Sequence, residues 1–191
     1  MNLLVDQLPT AIEIDGREYA IESDFRIGLR IMLAFEDDGL TLEEKYMIML
    51  QNLYQVIPDN SQQAFEVGMR FLNGGKDSET EEEGGGPRLY SFDKDAGLIF
   101  AAFKQTHNVD LTADNLHWFS FLALFMDLGQ DTTFCQLVAL RKRLSDGTAT
   151  KEDRRMARDM GDLVDVPQPD DRTPEERAKE EEFMQLIKAG K

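Results

Sequence analysis

Side chains suited to nucleophilic, acid–base or metal chemistry near neutral pH are scarce. His107, His117 and Cys135 are the only histidines and the only cysteine in 191 residues. Asp114 and His117 stand three apart and could share one helix face as base and orienting carboxylate. A structural hydrogen bond is the preferred reading of that pair. No histidine–glutamate zinc motif occurs, and one cysteine cannot build a cysteine-rich metal site. Cys135 follows Thr132-Thr133-Phe134 inside an apolar helical pattern and reads as a buried, inert thiol. Gly84-Gly85-Gly86-Pro87 lacks the lysine and threonine of a phosphate loop, and no strand precedes it. No serine sits in a nucleophile elbow. Glu79, Glu81, Glu82 and Glu83 could be taken for a cation loop, but calcium loops need ordered oxygens at fixed spacing, so a solvated linker is preferred. The expectation is a protein that is not an enzyme, with no catalytic residue, cofactor or metal.

Charge says more. The net charge is −16, which repels phosphates and argues against nucleic-acid and anionic-membrane partners. Between Arg141 and Arg158, seven basic residues stand against three acidic ones, a local net charge of +4. Arg141, Arg143, Arg154, Arg155 and Arg158 are therefore candidate partner-binding residues. They could receive an acidic partner or neutralise the chain's own acidic tail; the second is favoured. No aromatics are interleaved with them, as single-stranded nucleic-acid binding would require. The lone cysteine suits a reducing cytoplasm. The opening stretch Met-Asn-Leu-Leu-Val-Asp-Gln-Leu-Pro has no basic region and no long apolar core, so neither signal peptide nor membrane span is expected.

The elements that would position these residues are mainly helices. Residues 115–128 hold the only tryptophan, Trp118, with Phe119, Phe121 and Phe125. Apolar residues fall on nearly every face, so this helix should be central and enclosed by others, with Thr112 as its N-cap. Ahead of it, Ile12 and Ile14, then Asp15-Gly16, then Tyr19 and Ile21 predict a short β-hairpin. Ser23 or Asp24 should cap a helix to about Glu36, with an apolar stripe of Phe25, Leu29, Met32 and Leu33. Thr41 and Glu44 form a capping box for the next helix, which Pro58 ends, and a third spans about 61–73. Ser91 should cap a helix to about Lys104, with Asp93 and Asp95 in its first turn. Further helices are expected over about 131–144 and from Thr150 to about Met160.

Two stretches read as linkers. Residues 74–87 combine glycine with a charge run and cannot offset ordering entropy by burial, so a mobile acidic loop is expected. Residues 165–173 contain Pro167 and Pro169. Thr173, Pro174 and Glu176 then open a last helix, about 174–188. Its stripe of Phe183, Leu186 and Ile187 is too narrow to stabilise it alone. Those three residues are further candidates for partner contact, on the chain's own body or a second subunit's. The expected fold is mainly α: a multi-helix body over 1–164 with an N-terminal β-hairpin, then a linker and C-terminal helical arm over 165–191.

Several stretches together resemble a bacteriophage family, the gene-fifteen product of Gram-positive siphophages and prophages. They are Asp24-Phe25-Arg26; Glu43-Glu44-Lys45 with Leu53-Tyr54 and Ile57-Pro58; Tyr90-Ser91-Phe92-Asp93-Lys94-Asp95; Ile99 to Phe103; Val109-Asp110-Leu111; and Leu116-His117-Trp118 with Phe121 and Arg141. Order and spacing carry the likeness, over about residues 4–160. The family often has a second tryptophan where Phe119 stands here. The resemblance implies a gene in the tail-morphogenesis cluster and a protein similar to tail assembly chaperones. Its partner would be the tape-measure protein, with tail-tube protein a further one, in the cytoplasm of the infected or lysogenic host. A homo-oligomer would suit such a role. The other expectation is a structural tail component, a completion or connector protein retained in the virion.

Overall fold

The computed structural model describes residues 2–76 and 87–168. The N-terminal hairpin forms where the sequence places it. Strands β1 (Ala11–Ile14) and β2 (Arg17–Ala20) pair antiparallel, with Ile12 opposite Tyr19 and Ile14 opposite Arg17. Asp15 and Gly16 both take positive φ, 50° and 76°, the backbone that a two-residue turn needs to match strand twist. Ile12 and Ile14 point to one face and are buried. Two strands alone are marginal, and the hairpin is pinned to helices. Glu22 N–H donates to Leu53 O and Gln55 N–H to Ala20 O. Asn60 Nδ2 donates to Asp15 Oδ2.

Three helices follow: α1 (Phe25–Glu36), α2 (Leu42–Leu53) and α3 (Ser61–Leu72). Asp24 caps α1 through Arg26 N–H, Thr41 and Glu44 close the expected capping box on α2, and Asn60 caps α3. The buried stripe of α1 is Phe25, Gly28 and Ile31. Leu33, expected within the stripe, is 37% exposed. The helix turned further than the apolar count suggested because a glycine, not a large side chain, marks its closest approach.

Then come α4 (Ala96–His107), α5 (Trp118–Met126), α6 (Thr133–Ser145), α7 (Lys151–Met160) and a 3-10 turn at Gly161–Leu163. Thr132 caps α6, and Thr150 with Asp153 forms a capping box on α7. Helix α5 touches α1 on one side and α4 on the other, and α6 links α4 to α7. The described residues are therefore mainly helical with one two-stranded hairpin, as expected. The arm at 174–188, and most of the acidic linker, lie outside the described residues.

Two helix starts differ from expectation. Helix α5 begins at Trp118, not near 115, and its cap is His117, not Thr112. His117 is extended instead and bridges antiparallel to Asp24: Phe25 N–H donates to Leu116 O and Trp118 N–H to Ser23 O. Arg26 also donates to Leu111 O and Asp114 O. Pairing with a segment 90 residues upstream outweighs local helix propensity. Helix α4 begins at Ala96, so Ser91 and Asp93 lie in the preceding turn. Ser91 Oγ accepts from Asp93 and Lys94 N–H, and Asp95 turns inward.

Candidate partner-binding groove

Asp95 turns inward to meet Arg141. Its carboxylate accepts from Arg141 Nη1 at 2.6 Å and Nη2 at 2.9 Å, and the two side chains are 0% and 4% exposed. Arg141 Nη1 also donates to Leu89 O, Nη2 to Leu163 O and Nε to Val164 O. A guanidinium has five N–H donors, and all five bonds end inside the molecule. Arg141 therefore offers nothing to a partner. It is the buried clasp that holds the 87–95 segment and the chain after α7 onto α6. The expectation of a partner-binding arginine is corrected here, since burial opposite Asp95 consumes its charge. A cavity of about 440 Å³ beside it is lined by Pro87, Leu89, Leu144, Val164 and Val166 among others.

The rest of the basic cluster is partly spent as well. Arg143 binds Asp153 through Nη2 at 2.7 Å and Nε at 3.2 Å. That pair, with Thr150 N–H and hydroxyl, holds the Asp153 carboxyl well below the usual carboxylate range. Arg155 pairs with Glu152 on the surface. Arg154 and Arg158 are exposed on α7. The structure thus disperses what the sequence presents as one patch. Phe183, Leu186 and Ile187 lie outside the described residues, as do Glu79, Glu81, Glu82 and Glu83.

The candidate dyad does not form. His117 Nδ1 accepts from Phe119 N–H, so Nε2 carries the proton and donates to Pro9 O at 2.9 Å. Asp114 instead accepts from Asp110 N–H. Cys135 is half-buried, with Sγ 3.5 Å from Leu128 O. Among the described residues, no cluster of His, Cys, Asp and Glu is placed to hold a metal ion. No helix there is long and apolar enough to cross a membrane.

Around α5 the aromatics assemble. Phe25, Phe103 and Trp118 all stack near-parallel to Phe121, at centroid distances of 5.2, 5.0 and 5.5 Å. Trp118 is 1% exposed. Its ring lies over Gly28 of α1, where an added Cβ would sit 2.3 Å from Cε3, and Nε1 donates to Leu72 O at the end of α3 at 2.9 Å. Its partners are thus α1 and α3.

The same face of α5 is left open beyond Trp118, which itself lines the opening. Leu122 and Phe125 are half-buried and Met126 is 83% exposed. With Leu3, Met32, Tyr90 and Phe92 they line a groove of about 490 Å³, within the ~300–1,000 Å³ of clefts that take ligand groups. Lys76 is its only charged lining residue among those described. Burial raises the Tyr90 hydroxyl pKa, with the nearby Glu36 carboxylate adding to it, so the phenol stays neutral. Glu36 in turn accepts from Ser91 Oγ and Phe92 N–H, fixing that wall. The expectation of an enclosed central helix is therefore met on one side only. The missed signal lay in α5 itself: a helix apolar on every face, with too few neighbours to cover it, presents the remainder to something else.

Across the sequence, residues 4–166 match the family described as Bacteriophage Gp15 protein. No curated protein and no solved structure matches the chain.

Proposed function

We propose, for a chain that belongs to the bacteriophage Gp15 protein family, a non-enzymatic role in tail morphogenesis as a chaperone of the tape-measure protein. The observation that carries this reading is the open groove along α5, with apolar walls and Met126 on its rim. A long helical client repeats apolar residues at i, i+3, i+4 and i+7, and such residues dock into grooves of this kind. Methionine and aromatic walls adapt to successive, non-identical client segments. The net charge of −16 would keep a coated, otherwise sticky helix soluble. Binding would take place in the cytoplasm of the bacterial host, before tail-tube protein replaces the chaperone.

Co-expression with the tape-measure protein of the same phage tests the role. Wild-type protein should keep the client soluble and co-purify with it. Met126→Asp together with Leu122→Asp should abolish both while the fold persists. A client that stays insoluble beside wild-type protein contradicts the reading. Stoichiometric copies in purified virions would favour a completion or connector protein instead.

A further inference from the structure

We propose that, when no client is bound, the α5 groove is occupied by the chain's own residues 174–188, through Phe183, Leu186 and Ile187. The inference rests on the groove being a docking surface, as the proposed function does, but its test needs no client. Four observations converge on this occupant.

The first is where the described chain ends. Gln168 Nε2 donates to Arg88 O, Arg88 N–H donates to Gln168 Oε1 at 2.8 Å, and Arg88 Nη1 reaches Pro167 O. Arg88 precedes Tyr90, a wall of the groove, by two residues, so their Cα atoms are at most ~7 Å apart. The tail thus departs beside the groove. The second is reach. Five residues, 169–173, can span up to ~17 Å when extended, and ten more, 174–183, would add ~15 Å as a helix.

Complementarity is the third. Phe183, Leu186 and Ile187 recur at i, i+3 and i+4 and make one narrow stripe. A helix of that length is marginal in water without a partner for its apolar face. The groove is apolar with Lys76 on its lining, and Glu180 and Glu182 would flank the stripe. The fourth is the weakening of the rival basic surface, although Arg154 and Arg158 stay exposed on α7. Arg141, Arg143 and Arg155, which would have attracted the acidic arm, already hold Asp95, Asp153 and Glu152. The linker of about five residues favours the same chain over a second copy, because a short tether gives an effective concentration in the millimolar range. Client and arm would then compete for one groove, and the chaperone would shield its own apolar face between clients.

Cross-linking in the full-length chain tests this. In a Cys135→Ser background, which keeps a donor towards Leu128 O, Met126→Cys is paired with Lys179→Cys or with Glu181→Cys. On a helix over 174–188, Lys179 would share the stripe face one turn before Phe183, and Glu181 would fall nearly opposite. Met126 is 83% exposed, so the substitutions leave the core intact. A short bis-maleimide should link 126 to 179 within one chain at least about fivefold more than 126 to 181, since both share the tether and only the docked face differs. Equal yields from both faces, or linked dimers in place of linked monomers, overturn the proposal. A chain with no new cysteine gives a second readout. Phe183→Asp with Ile187→Asp should speed hydrogen exchange at residues 122–126, and unchanged exchange overturns it too. Loss of the cross-link with client co-purification intact removes this inference alone. A cross-link without client binding removes only the proposed function.

Discussion

Arg141 shows what a single residue can conceal. In sequence it is one of seven basic residues in a run; in the fold it is buried against Asp95 with every donor used. Removing one member of such a pair leaves the other charge buried and unanswered. Arg141→Ala should therefore cost about 3–5 kcal/mol in urea titration, and the 87–95 segment should loosen with it. A loss below about 1 kcal/mol, the range of exposed ion pairs, would place Arg141 at the surface after all. Trp118→Ala should cost about 3–5 kcal/mol, the usual loss for a buried large aromatic. Gly28→Ala acts on the same contact from the other side. Its Cβ meets the indole at 2.3 Å, so a loss of about 1–3 kcal/mol is expected from overpacking. Burial of Trp118 was legible from residue type and apolar surroundings. Its partners were not, since the Gly28 contact spans 90 positions and glycine carries no apolar signal. The inward turn of Asp95 was hidden for a similar reason: acidic residues suit a helix start equally well when exposed.

At the scale of elements, caps were the most readable features. Thr41 with Glu44, Thr150 with Asp153, and the Asp15-Gly16 turn are short-range devices, fixed by residues within four positions of each other. The start of α5 was misread because His117 and Trp118 pair with residues 23–25, and no local pattern records such a partner. Helix α7 makes a test of its own. Asp153 has a folded pKa below its ordinary value, chiefly through Arg143 and then through Thr150. Its stabilising effect is thus complete above about pH 4 and is lost as pH falls through the folded value. Thermal melts of the wild type and Asp153→Asn should differ most at neutral pH and converge as the pH drops from about 4 towards 2. A difference that persists unchanged at pH 2 would mean that the ionised carboxylate is not what anchors α7 to α6.

For the whole molecule, the sequence conveyed class and family: a mainly helical chain with a hairpin, and a likeness that extends over residues 4–166. It did not convey the groove, because a groove is the part of the surface that the fold leaves uncovered. The lining residues come from 3 to 126 along the chain, and only their assembly makes a surface. Charge was misleading at this scale, as the basic run is divided between a buried clasp, a helix anchor, and three arginines and two lysines left exposed. Under the proposed function, a partner would meet an apolar groove on a strongly acidic protein. The most direct test is recovery of the tape-measure protein in the soluble fraction on co-expression with wild-type protein or with Leu122→Asp/Met126→Asp, both verified as folded by circular dichroism. The proposed chaperone role predicts a soluble, co-purifying client with the wild type and loss of both solubility and co-purification with the groove variant. Equal recovery of the client with either protein would contradict it.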